Sequence, residues 1–150
     1  MIVKIITVGG KNNPEIASLI SNYEKRFPQH ISIAWHHIKH GTAQDAITSK
    51  QQESENILKA LPANGPVILL DERGKNLTNK SLAQKLFDNP TDISIIIGGA
   101  HGVNHEVMDR ATFTWSLSEL VFPHQLVRLI LAEQLYRSYT VSIGHPYHHS

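Results

Sequence analysis

Four short apolar runs, separated by stretches of helical character, constrain this chain more than any other feature. Ile2–Val8 is β-branched and stops at Gly9-Gly10, residues 31–38 make a second run, residues 66–70 a third, and Ile93–Ile97 a fourth interrupted only by Ser94. Runs without a polar face need cover from both sides, so the expectation is a mostly parallel sheet flanked by helices on both faces. The intervening segments agree. Asn13 sets a capping side chain ahead of Pro14 at the first position of a helix, whose Ile16, Leu19, Ile20, Tyr23 and Phe27 share one face up to Pro28. Thr42 with Asp45 reads as a capping box for a second helix ending near Leu61. A polar loop, DERGKN, follows Leu70; a third helix is expected over residues 79–87, a further strand, FTWS, at Thr114, and a last helix from Pro123. At 150 residues the chain is a single α/β domain. Ligands of such sheets sit beyond the carboxyl ends of the strands, which singles out the loops after Leu70, after Ile97 and after FTWS.

Composition narrows the chemistry. With 14 Lys+Arg against 13 Asp+Glu the net charge is +1, so no strong field draws in nucleic acid or membrane, and an RNA partner has to be recognised by local geometry. There is no cysteine, which removes disulfides, thiolate metal sites and a thiol nucleophile. The N-terminus lacks the features of a signal peptide, and no run approaches the roughly 18 apolar residues of a membrane span; a soluble, cytoplasmic protein with no membrane partner is expected. Ten histidines are numerous, but His36 and His37 face opposite sides of a strand. In the tail, adjacent His148 and His149 suit a shared ion poorly, and no metal site is expected.

Three segments remain as candidate sites. IIIGGAHG, residues 95–102, empties a buried strand into glycines that either form a plain turn or bring backbone close to a ligand. Its spacing is not that of a dinucleotide fingerprint, and neither a P-loop, G-x-S-x-G nor H-E-x-x-H occurs in the chain. LLDERGK, residues 69–75, is either a self-paired polar loop or a place where Arg73 or Lys75 meets a phosphate. SLSELVF, residues 116–122, carries four apolar residues in seven in an irregular loop, which has to be buried or line a pocket. In the helix after it, Leu126, Leu129, Ile130 and Tyr136 are the expected buried stripe, Glu133 and Arg137 are spaced to pair, and the nine positions between Arg128 and Arg137 allow one phosphate patch without requiring it. His124 at its start reads as a surface or cap residue.

Together, LLDERGK, IIIGGAHG, SLSELVFPHQLVRLILAEQLYR and GHPYHH, in that order and at these spacings, closely resemble the large-subunit ribosomal RNA methyltransferase H family, knotted enzymes of the SPOUT class. The resemblance runs the length of the chain and implies one SPOUT domain over residues 1–150 with a C-terminal trefoil knot, an exception to the unknotted rule. It implies an S-adenosylmethionine-dependent homodimer that methylates N3 of a pseudouridine in the intersubunit stem-loop of 23S rRNA on the assembled 70S ribosome. Alternatives are a knotted enzyme for another RNA base and a non-catalytic ribosome-binding module. By matching position, the resemblance assigns the cofactor to Leu70, Gly99, Ser118, Glu119, Leu120, Val121, Phe122 and Pro123. The same matching places Arg137, Tyr147 and His148 near the substrate, with Arg137 stabilising charge and His148 handling a proton. Where family tails carry Lys or Arg after the Pro-Tyr-His, this chain has His149-Ser150, which weakens a fixed cationic contact to RNA.

Overall fold

The computed structural model describes residues 1–149 and contains ten elements in strict alternation at the start: β1 (Ile2–Val8), α1 (Pro14–Glu24), β2 (Ser32–Ile38), α2 (Ala46–Ala60), β3 (Val67–Asn76), α3 (Asn79–Phe87), β4 (Ile93–Ile97), α4 (His105–Arg110), β5 (Phe113–Ser116) and α5 (His124–Ser142). The five strands form one sheet in the order β2-β1-β4-β3-β5, and every pairing is parallel. Successive residues of each central strand serve opposite layers, as the two-residue period of a strand demands. Val3, Ile5, Ile68, Ile95 and Ile97 pack with Leu82 and Leu86 of α3 and Leu131 and Leu135 of α5. Ile6, Val8, Val67, Leu69 and Ile96 pack instead with Ile57 of α2 and Val107 of α4. The continuous apolar runs are therefore the sequence record of two cores on one sheet. The edge strand β2 departs from this pattern, with Ser32, Ala34 and His36 exposed and Ile33, Trp35 and His37 turned inward.

Four local expectations change. Asp45 alone caps α2, its carboxylate accepting from Thr48 N at 2.7 Å, while Thr42 lies outside the helix, its N–H bonded to Gln52. DERGKN is the outer part of β3 and not a loop: after an irregularity between Leu70 and Lys75, Lys75 and Asn76 pair with Trp115 and Ser116. Gly74 makes this close approach work, since a Cβ there would stand 2.7 Å from the Thr114 backbone. Helix α4, too short to announce itself by periodicity, starts on Asn104, whose side chain accepts from Val107 N. In α5 the buried face is Arg128, Leu131, Ala132, Leu135, Tyr136, Ser138 and Thr140, so of the expected stripe only Tyr136 is buried and Leu126 is exposed.

Candidate functional site

A cavity of about 690 Å³ opens at the carboxyl edge of the sheet. It takes its walls from the ends of β3 (Leu69 to Arg73), from Ile97 to Val103 after β4, from Trp115 to Leu117 after β5, and from His124 and Val127 at the start of α5. This is where a parallel sheet places ligands, because the loops leaving neighbouring strands diverge there. Of the residues matched to a cofactor, Leu70, Gly99, Ser118, Leu120, Val121 and Phe122 line it, whereas Glu119 and Pro123 do not. His40 lines it from beyond β2, and His101 and Trp115 enter it from the segments IIIGGAHG and FTWS.

The two loops that close the cavity differ in what fixes them. At Gly99 a Cβ would fall 2.5 Å from Glu53 Oε2 and 3.2 Å from Val8 Cγ1, so the glycine is required by the protein behind it. Glu53 is buried; its Oε1 accepts from Gly41 N at 2.9 Å, and its Oε2 has no partner among the described residues. The loop itself is closed by Gly102 N donating to Gly99 O, with Gly102 at a φ of +75° that glycine adopts without strain. Residues 117–122 have little internal support. Ser118 Oγ accepts from Leu120 N, and Ser116 Oγ donates to the Ser118 carbonyl. Of the two alternatives for this loop the structure shows the second: Ser116 alone is buried, the loop's apolar residues line the cavity, and Leu120 and Val121, 71% and 81% exposed, stand at its rim facing solvent.

Arg137, Tyr147 and His148 come together elsewhere. Glu133 is their hub: its Oε1 accepts from Arg137 Nε at 2.9 Å and from the Tyr147 hydroxyl at 3.1 Å. Arg137 Nη1 lies 3.3 Å from His148 Nδ1, and its guanidinium sits 4.8 Å from the Tyr147 ring centroid. Arginine only donates, so Nδ1 of His148 accepts in this arrangement. Burial first, then Tyr23 and Glu133, push the Tyr147 hydroxyl up to about 12, which keeps it protonated and a donor. Bonding to Glu133 raises the already high Arg137. None of the three residues lines the cavity. Ten residues of α5 separate Arg137 from Val127, about 15 Å at the helical rise.

The other arginine of α5 behaves differently, and both expectations for this region need correction. Arg128 is fully buried, so it contributes to no phosphate patch; Nη1 donates to Gly10 O at 2.8 Å and Asn12 Oδ1 at 3.0 Å, Nη2 to Val8 O at 3.2 Å. His124 is no surface residue. It is half-buried, with Nε2 lying 3.0 Å from Arg128 Nη2 and 3.1 Å from Thr7 Oγ1. Burial, then the charges of Arg128 and His40, hold its pKa below the usual histidine value. Arg73, by contrast, pairs with Asp71 through two bonds at 2.9 and 2.8 Å, which favours the self-paired reading of LLDERGK.

A layered parallel sheet of this order with a ligand-sized cleft at its carboxyl edge defines a class, and the comparisons agree on it. Residues 1–148 match the family described as Predicted SPOUT methyltransferase, and the chain belongs to that family. Among solved structures it superposes, with a TM-score of 0.56 at 12% identity, on a probable methylase family protein from Haemophilus influenzae, covering 99% of this chain and 70% of that one, a likeness of fold. Curated relatives named Ribosomal RNA large subunit methyltransferase H are similar over full length. The protein from Dichelobacter nodosus is 38% identical over 99% of both chains, that from Allorhizobium ampelinum 38% over 100% of both, and that from Acetivibrio thermocellus 34% over 99% of both.

Proposed function

We propose that this chain is a ribosomal RNA methyltransferase dependent on S-adenosylmethionine, and that its target is N3 of a pseudouridine in the intersubunit stem-loop of 23S rRNA on the assembled 70S ribosome. The observation that carries the reading is the cavity of about 690 Å³ between two irregular loops. That volume suits a nucleoside-sized ligand, and irregular main chain offers donors and acceptors to the edge of an adenine. The name shared by the relatives points to ribosomal RNA as the polymer.

When bound, S-adenosylmethionine supplies a methyl group already activated on a sulfonium. The work left to this chain is to hold the adenosyl group between Leu70, Gly99 and residues 118–123, keep water out, align the base and take the imide proton. Arg137 stabilises the imide anion. Tyr147, whose hydroxyl donates to Glu133, holds the Arg137 guanidinium against its ring, leaving His148 to carry the proton.

A homodimer is part of the same reading. Arg137 stands about 15 Å along α5 from its own cavity, and Leu120 and Val121 expose apolar surface at the cavity rim. A second copy laying its tail over this rim would unite the two halves of the site and cover that surface. The passage of the last part of the chain through a loop, as in a trefoil knot, belongs to this reading as well.

Transfer of a labelled methyl group from S-adenosylmethionine to 70S ribosomes, free rRNA and tRNA tests it. Labelling of the ribosome alone is expected. Labelling of tRNA would point to another RNA base, and cofactor binding without transfer to any RNA would leave a ribosome-binding module. His148→Ala should cut turnover far more than cofactor affinity; equal loss of both would remove His148 from proton transfer.

A further inference from the structure

A buried arginine ordinarily stands beside an acid, because an unpaired charge in the interior is costly. Arg128 does not. Among the described residues no carboxylate lies within ion-pair distance of it, and its Nε has no partner at all. Its four hydrogen-bond partners are the Val8 and Gly10 carbonyls, the Asn12 side chain and one ring nitrogen of His124.

That last contact dictates a protonation state. A guanidinium nitrogen has hydrogens and no lone pair to offer, so His124 Nε2, 3.0 Å away, must be the acceptor. A neutral imidazole whose Nε2 accepts carries its proton on Nδ1. Thr7 Oγ1 of β1 lies 3.1 Å from the same Nε2, and its hydroxyl can donate to a nitrogen already fixed as an acceptor by Arg128. The groups facing His124 are Arg128 from its own helix, Thr7 and the Val8 backbone from β1, and His40 from beyond β2, none of them an acid. His124 also lines the cavity and begins a helix whose N-cap, Pro123, offers no side-chain acceptor to the free N–H groups there.

We propose that His124 is a catalytic donor: its Nδ1–H hydrogen-bonds an anionic oxygen of a ligand in the cavity, and Arg128 is the positioning residue that fixes the tautomer and supplies positive potential behind the ring. The proposal rests on the methyltransferase reading. Two oxygens share the required chemistry, the carboxylate of the methyl donor and the carbonyl oxygen of a substrate imide as it becomes an anion. A donor held in place before charge develops stabilises either without reorganisation.

Two amide replacements separate this role from a structural one, because Asn places a side-chain nitrogen near the position of Nδ1 and Gln an oxygen near that of Nε2. If the ring matters as a donor, His124→Asn retains function and His124→Gln loses it, by about tenfold for one charge-assisted bond. Affinities for S-adenosylhomocysteine and for methylthioadenosine, which lacks the carboxylate, are measured by calorimetry alongside turnover on ribosomes. Loss confined to S-adenosylhomocysteine identifies the carboxylate; loss of turnover with cofactor KM unchanged identifies the substrate oxygen. His124→Asn falling as far as His124→Gln in both measurements overturns the proposal. Ring-nitrogen NMR of the unmutated protein gives a second readout, independent of folding defects: protonation on Nδ1 is expected, and on Nε2 would overturn it. In Arg128→Lys the tautomer preference should weaken while the fold persists. A wild type that binds neither nucleoside would sink the cofactor reading and this proposal together, whereas one that binds both with His124→Gln unaffected sinks only this proposal.

Discussion

Arg128 and Arg137 sit nine positions apart on the same helix and teach opposite lessons about what a charge does in a fold. Arg137 is part-exposed and has Glu133 one turn away, a pairing any helical reading finds from the i,i+4 spacing. Arg128 is fully buried, and three of its four partners come from the end of β1 and the turn after it, more than a hundred residues earlier in the chain. The first is a local ion pair that organises a tail; the second ties the start of α5 to the glycine turn after β1 and so holds one wall of the cavity. The position of each, not its chemistry, decides which role it has.

The contrast predicts unequal costs. Arg128→Met should be the most damaging change considered, since it leaves the buried Val8 carbonyl without this donor and removes both bonds made by Nη1; a loss of about 3 kcal/mol in denaturant unfolding is expected. A loss below about 1 kcal/mol would mean that water replaces the guanidinium. Gly99→Ala comes next, at about 1–3 kcal/mol, because its methyl meets Glu53 and Val8. Combining it with Glu53→Ala should recover part of that loss, and no recovery would assign the glycine to the ligand side alone. Glu133→Gln should cost about 0.5 kcal/mol or less in stability, the usual worth of such a pair. It should still lower the Tyr147 titration from about 12, read by tyrosinate absorbance, because a neighbouring negative charge no longer opposes ionisation.

The pH dependence sharpens the same comparison. His124 and His37 both have native pKa values held below 6.5, each by burial first and by Arg128 next. Below 6.5 the unfolded chain therefore binds protons that the native state refuses. The stabilisation is fully present above 6.5 and is lost as pH falls from there through the depressed native values. Unfolding midpoints should decline over that window, and His124→Gln should flatten part of the decline; an unchanged slope would place the effect on His37.

Much of the architecture was legible because the signals are local and repeated. Strands β1 and β4 and helix α3 lie where their apolar runs and caps put them, and the loops chosen from the sheet rule do line the cavity. The misses share a cause. DERGKN reads as a loop because its side chains are polar, but its backbone is recruited by β5, a strand almost forty residues later. The stripe on α5 departs from its hydropathy because Arg128 and Ser138 are buried and Leu126 is not; for Arg128 the reason is the set of acceptors at the end of β1 and in the turn after it. Leu120 and Val121 line the pocket expected of this loop but stay exposed, since hydropathy records what a residue prefers and not whether a neighbour arrives to cover it.

By itself, then, the chain's order of residues determined the strand and helix periods, the parallel class of sheet and the edge at which a ligand would enter, since these follow from interactions within a few residues or from rules common to all such sheets. The tertiary structure alone decided which polar groups meet: Glu53 with Gly99, Arg128 with the β1 turn, His124 with Thr7. Such meetings depend on distances set by the packing of whole layers, and a buried charge or an unpartnered nitrogen carries no mark in sequence until those layers close.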